Sequence, residues 1–148
     1  MRLIDLLEGQ DIVLDAPISS KKRLFEEIAR KLGGQAGEAR AIYDSLIQRE
    51  KRGNTSLGNG VAIPHGQALG SPDTRVAMFR LRKGIDYESP DNIDVDTIIA
   101  MAFPRTGGAE HEEILQDAAR MLRNHRIYRG LKNAKNSDEV LAILSNST

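Results

Sequence analysis

Nine consecutive residues, Val95-Asp96-Thr97-Ile98-Ile99-Ala100-Met101-Ala102-Phe103, are almost all apolar, and the run stops at Pro104. A run this short reads as a strand, and a strand apolar on both of its alternating faces has to be covered on both. That requirement calls for helical layers on either side of a sheet, an α/β arrangement. The rest of the chain supplies them. Leu24, Ile28, Ala29 and Leu32 share one face of a helix that Ser19 or Ser20 caps and Gly33-Gly34 stops. A second helix is expected over 38–51, with Ile42, Leu46 and Ile47 inward and Arg49, Lys51 and Arg52 in its last turn. Near the C-terminus, Gly107-Gly108 opens onto a helix over 110–122 carrying Ile114, Leu115, Ala118, Met121 and Leu122 on its apolar side. A shorter helix is expected over 127–131, and a last one capped by Ser137, with Asp138 and Glu139 in its first turn.

Between these lie shorter signals. Residues 2–7 read as a short opening helix and 11–14 as a strand. Over 75–81, Val76, Met78 and Leu81 alternate with Arg75, Arg80 and Arg82, the pattern of a half-buried strand. Lys83-Gly84 reads as a turn, with residues 85–87 continuing an edge. Strands and helices interleave without an internal repeat, linker or low-complexity tract, so residues 1–148 are expected to form a single domain.

Composition narrows the function. Lys+Arg and Asp+Glu balance at 21 each, which argues against bulk attraction to nucleic acid or to an anionic membrane. The chain has no cysteine, which removes disulfides, thiolate catalysis and cysteine-based zinc sites. No apolar run approaches the roughly 18 residues of a spanning helix, and no signal-peptide core opens the chain, so a cytoplasmic protein without membrane insertion is expected.

The chemistry concentrates in residues 49–70, R-E-K-R-G-N-T-S-L-G-N-G-V-A-I-P-H-G-Q-A-L-G. Five glycines free the backbone there, and the apolar Val61-Ala62-Ile63 delivers His65 to the end of a short strand. Nucleotide motifs fail on inspection. Gly53 and Gly58 have P-loop spacing, but Asn59-Gly60 follows where Lys and Ser/Thr are needed, and Gly58-Asn59-Gly60 meets Ile63 where a dinucleotide fingerprint needs its third glycine. The plain alternative for this stretch is a flexible surface loop. His65 is either a solvated turn residue or a working imidazole, presented between Pro64 and Gly66 and able to act as nucleophile or base near pH 7. His111, in the first turn of a helix amid Glu110, Glu112 and Glu113, is either a surface residue or a second imidazole at an anion site. Position 115 is Leu, so His111-Glu112 does not begin the zinc motif H-E-x-x-H. His125, among Arg123, Arg126 and Arg129, reads as a solvated basic face. Arg49, Lys51 and Arg52 complement the C-terminus of their helix, and any of them offers a phosphoryl group a cation. Ser56 occupies no G-x-S-x-G elbow.

Arg49-Glu50-Lys51, followed by Gly58-Asn59-Gly60-Val61-Ala62-Ile63-Pro64-His65-Gly66, resembles the active-site signature of phosphotransferase-system enzyme IIA domains of the fructose/mannitol type. The opening, Asp11-Ile12-Val13-Leu14 and then Ser20-Lys21-Lys22-Arg23, is similar to the nitrogen-regulatory enzyme IIA proteins of bacteria within that family. The resemblance spans essentially the whole chain. It implies an α/β fold with a single mixed sheet flanked by helices on both faces, and a phosphoryl group carried on His65. Arg49 matches the arginine that neutralises that group, and His111 the second histidine beside it. Thr55 and Ser56, with loop N–H groups, are further candidates to bind the phosphoryl group.

The implied donor is an HPr-like phosphocarrier charged from phosphoenolpyruvate through enzyme I, with no cofactor or metal in the transfer. The implied output is regulation through protein contacts, with potassium transport systems or sensor kinases as targets. Two rivals stand beside it: a sugar-specific enzyme IIA that passes phosphate to an enzyme IIB, and an interaction module that is never phosphorylated. One departure from the family pattern is Gln67, where an arginine is expected in many relatives; it makes the rim of the site less basic.

Overall fold

The computed structural model describes residues 2–34, 37–106 and 108–146. Two 3-10 turns, Leu3–Asp5 and Gly9–Asp11, lead into β1 (Ile12–Ala16), α1 (Lys21–Gly33) and α2 (Glu38–Arg52). Then follow β2 (Ser56–Gly58), β3 (Val61–Ala62), β4 (His65–Gln67), β5 (Arg75–Ile85) and β6 (Val95–Phe103). Helices α3 (Gly108–Arg123), α4 (His125–Asn133) and α5 (Ser137–Ser145) close the chain.

The apolar run is β6, and the sheet is built outward from it. β5 pairs with β6 antiparallel on one side, and β3 and β4 both pair with it parallel on the other. The order is β1-β5-β6-β3-β2, with β4 beside β3 on the same edge of β6, and β1 joins β5 in parallel. The sheet is therefore mixed, as the resemblance implies. Successive β6 side chains enter opposite cores: Ile98, Ala100 and Ala102 meet Leu24, Phe25, Ile28, Ile42 and Leu46 of α1 and α2. Ile99, Met101 and Phe103 meet Ile114, Met121, Leu122, Ile127, Leu131, Val140 and Leu144 of α3, α4 and α5. Strand period and helix period thus agree on where apolar surface goes.

Several local expectations change. The opening helix is only a three-residue 3-10 turn. Ser20 does cap α1, its Oγ accepting from Arg23 N at 3.1 Å, but α5 is capped by Asn136, whose Oδ1 accepts from Glu139 N at 2.9 Å, and Ser137 is the first helical residue. Of the glycine pair expected to open α3, Gly107 lies outside the described residues. β5 is not half-buried: Val76 and Met78 enter one core and Ala77 and Phe79 the other. Nor does it stop at Lys83-Gly84, since Gly84 lets the chain pass Asp94, whose Cβ would lie 3.0 Å from an added Cβ. Arg80, expected on a solvated face, donates to the carbonyls of Leu131 and Ala134 and ion-pairs with Asp15 at 3.2 Å, closing the end of α4.

The stretch around His65 is cut in two. β3 pairs with Thr97 and Ile98, and β4 with Met101, Ala102 and Phe103. Pro64, with no N–H to offer a ladder, marks the seam, and its carbonyl accepts from Met101 N at 3.1 Å. His65 opens the second piece rather than ending the first.

Candidate active site

β4 is held between β6 and α2. At Gly66 an added Cβ would come 2.9 Å from Ser45 Oγ and 3.0 Å from Leu46 N, so only glycine lets the strand lie this close to the helix. Ser45 Oγ also accepts from Gln67 N at 2.7 Å. The main chain therefore fixes His65 against the helix that carries Arg49.

The His65 ring is half-buried, and its Nδ1 lies 2.9 Å from the Ile63 carbonyl. A carbonyl can only accept, so Nδ1 carries the proton and the neutral ring keeps its lone pair on Nε2. Burial is the main cause that pushes the His65 pKa below its ordinary 6.5, and the charges of Arg49 and Arg52 push the same way; the Ile63 bond and the Glu50 carboxylate oppose them. The outcome is an imidazole kept neutral at pH 7 with Nε2 as its nucleophilic atom. Arg49 is half-buried at the end of α2, where one guanidinium nitrogen donates to the Gly53 carbonyl at 2.8 Å and braces the turn into the glycine stretch.

Phe103, at the end of β6, joins the two histidines. The His111 ring stacks on it at 4.4 Å between centroids and 19° between planes, and the His65 ring meets it edge-on at 6.2 Å. Buried His111 Nε2 has no hydrogen-bond partner among the described residues, an unmet capacity that is uncommon for a shielded polar atom. Glu110 is exposed on the same helical turn.

Thr55 is occupied elsewhere. Its hydroxyl lies 2.6 Å from Glu50 Oε1 and 2.7 Å from the Tyr87 hydroxyl, and its N–H donates to Glu50 Oε2 at 2.9 Å. A carboxylate accepts only, so the Thr55 proton goes to Glu50 and Thr55 Oγ1 receives the Tyr87 proton. Lys21 completes this cluster, 3.1 Å from Glu50 Oε2. Burial, then the negative charge of Glu50, raises the Tyr87 pKa far above its ordinary range, so Tyr87 remains a donor. Ser56 is half-buried, and its Oγ accepts from Gly58 N at 3.0 Å, while its own proton has no acceptor among the described residues. The glycine turn is structural: Gly58, Asn59 and Gly60 all have positive φ, and Asn59 N donates to Asp91 Oδ2 at 2.8 Å. His125 is exposed at the start of α4.

Sequence reading missed two members of this site. Glu50 stood in the motif next to Arg49 but was given no role; only the tertiary fold brings Tyr87 and Lys21 to it. Phe103 looked like one more core residue, and nothing in its spacing pairs it with two histidines. Among the described residues no three His, Asp or Glu side chains gather as a metal-holding group, and no helix is long and apolar enough to cross a membrane.

The family described as phosphoenolpyruvate-dependent sugar phosphotransferase system, EIIA 2, matches residues 5–147. The nitrogen regulatory protein of Bradyrhizobium diazoefficiens is 35% identical over 147 residues, covering 98% of this chain and 95% of that protein. The crystal structure of nitrogen regulatory protein IIA-Ntr from Neisseria meningitidis superimposes with a TM-score of 0.90 at 35% identity, over 96% of this chain and 98% of that one. The mannitol enzyme IIA of Escherichia coli, solved in complex with phosphorylated mannitol enzyme IIB, shares the fold with a TM-score of 0.79 at 20% identity, over 94% and 96% of the two chains. The chain belongs to the EIIA type 2 family of the phosphoenolpyruvate-dependent sugar phosphotransferase system, and its likeness within that family is to the nitrogen regulatory proteins.

Proposed function

We propose that this protein is a phosphocarrier whose His65 accepts a phosphoryl group from the phosphohistidine of an HPr-like protein, and that it acts as a nitrogen-regulatory enzyme IIA in the cytoplasm. The observation that carries the reading is the Nδ1 bond to Ile63, which leaves Nε2 as the free nucleophile of a neutral ring. Transfer between two imidazoles needs in-line placement and neutralised oxygens more than covalent help. As the Nε2–P bond forms, the N–P bond of the donor breaks and its electron pair returns to the donor ring. The positive charge that the His65 ring acquires is supported by Nδ1–H donating to the Ile63 carbonyl. Arg49 offers charge to the phosphoryl oxygens, and the unmet Nε2 of His111 suits a further hydrogen bond there. Ser56 is the hydroxyl with a proton to give, while Thr55 serves from below by tying the loop to Glu50. In this reading no metal or cofactor takes part.

The regulatory output consists of protein contacts that differ between the two phosphorylation states, with potassium transport systems or sensor kinases as the target class. The rival reading is delivery of phosphate to an enzyme IIB for sugar uptake, favoured by the likeness to the mannitol protein solved with its enzyme IIB.

Intact-protein mass spectrometry after incubation with phosphoenolpyruvate, enzyme I and an HPr-type carrier tests the proposal. Wild type should gain one acid-labile phosphate, His65→Ala none, and Arg49→Ala the phosphate at a rate reduced by at least about tenfold. No gain on wild type would leave the interaction module as the better description, and gain on His65→Ala would move the nucleophile to another residue.

A further inference from the structure

At the far end of the sheet from β2, a pocket of about 370 Å³ lies between the edge strand β1 and helix α1. It shares no lining residue with the histidine site. Its volume falls at the lower end of the roughly 300–1,000 Å³ typical of small-molecule pockets. The floor is apolar, made by Val13, Ala16, Ile18 and Phe79. The charged rim comes from α1 alone, Arg23, Glu27, Arg30 and Lys31, and exposed Pro17 completes the lining.

The charges on that rim are unbalanced. Glu27 Oε2 lies 3.5 Å from Arg23 and 3.1 Å from Arg30, so one carboxylate is shared by two guanidiniums. Arg23 also reaches Glu26 at 3.8 Å, outside the lining. Lys31 makes no ion pair among the described residues. Three cations and one carboxylate therefore ring an apolar floor, and Glu27 already shows where a carboxylate is held.

We propose that this pocket binds a small organic anion with an apolar body, a monocarboxylate carrying a short alkyl chain or an aryl ring. The apolar body lies over Val13, Ile18 and Phe79, and the carboxylate takes charge-assisted bonds from Arg30 and Lys31. An added strand from another protein fits less well. β1 has five residues, its register slips between Val13 and Ala16 where Asp15 has φ +54°, and Pro17 follows directly. A short strand, a bulge and a proline are the features that blunt a sheet edge against pairing.

The test is a ¹⁵N-HSQC titration of the full chain with octanoate and with benzoate, with 1-octanol as the uncharged control. Saturable shifts at the amides of Val13, Ile18, Lys31 and Phe79 with the two anions, and much weaker shifts with 1-octanol, are expected. Lys31→Glu combined with Arg30→Glu, both on the exposed side of α1, should weaken octanoate binding by about tenfold or more. Glu27→Gln should tighten it several-fold, because the guanidiniums lose a competing carboxylate. Three results would overturn the proposal: no shifts at these amides through the millimolar range, equal response to 1-octanol, or binding indifferent to the charge-reversed rim. A short acidic β-forming peptide, titrated in parallel, would replace the small anion as occupant if it alone moved the amides along β1. Retained amide dispersion in each variant separates lost binding from lost folding.

Discussion

The hydrogen bond from His65 Nδ1 to the Ile63 carbonyl does two things to one side chain: it chooses the tautomer, and it ties the ring to its own backbone two residues back. Burial and the nearby arginines then hold the ring neutral. The sign of the pH dependence follows. Because the folded pKa lies below 6.5, the unfolded chain takes up the His65 proton first as the solution is acidified. The contribution of His65 to stability is therefore full above pH 6.5 and is lost as pH falls through the folded value. NMR titration of the His65 Cε1 proton should give a midpoint below 6.5, and single-turnover phosphorylation of wild type should stay level down through that pH before falling. A midpoint at or above 6.5 would contradict the burial argument. From the resemblance, and from the proline and glycine on either side of it in I-P-H-G, His65 was readable as a candidate. Its tautomer was not, since that depends on a carbonyl position that only the fold fixes.

At the level of elements, the helices and β6 were legible, β1 and β3 in outline, and β2 and β4 not at all. α1, α2, α3 and β6 announce themselves because an apolar pattern sustained over nine or more residues suits one kind of element and exposes its apolar side in any other. β2 and β4 have three residues each and β3 two, too few for a period, and they owe their conformation to β6 alongside. The Lys83-Gly84 turn was misread for a related reason. Glycine marks turns in sequence, yet here it serves a close approach to Asp94 within a continuing strand. The Glu50 cluster shows what such local reading leaves out, because it joins α1, α2, the glycine stretch and Tyr87 through one carboxylate. Glu50→Ala would strip a buried N–H, the Thr55 hydroxyl and the Lys21 ammonium of their common acceptor. We expect a loss of about 3 kcal/mol in urea unfolding. Loosening of the Asn54–Thr55 backbone should accompany it, read as faster amide exchange at Thr55.

For the molecule as a whole, the sheet separates two apolar cores that have no residue in common. Ile28 in one and Ile114 in the other are both fully buried, so truncating either to alanine should cost about 2–5 kcal/mol. The double variant should lose the sum to within about 0.5 kcal/mol, since the two cavities share no neighbours in these clusters. A clear departure in chemical denaturation would mean that the sheet transmits strain between its faces. Gly66 bears on the whole molecule in a different way. With no side chain on Gly66, β4 lies directly against α2, and the spacing of His65 from the helix bearing Arg49 is set by the main chain and by the Ser45 hydroxyl that accepts from Gln67 N. Warming will agitate side chains long before it parts a helix from a sheet. The ability to take up phosphate should accordingly persist almost unchanged up to the melting transition and vanish with it, rather than fading beforehand. In this protein heat tolerance of function and heat tolerance of fold would be one quantity, set by a hydrogen atom where any other residue has a carbon.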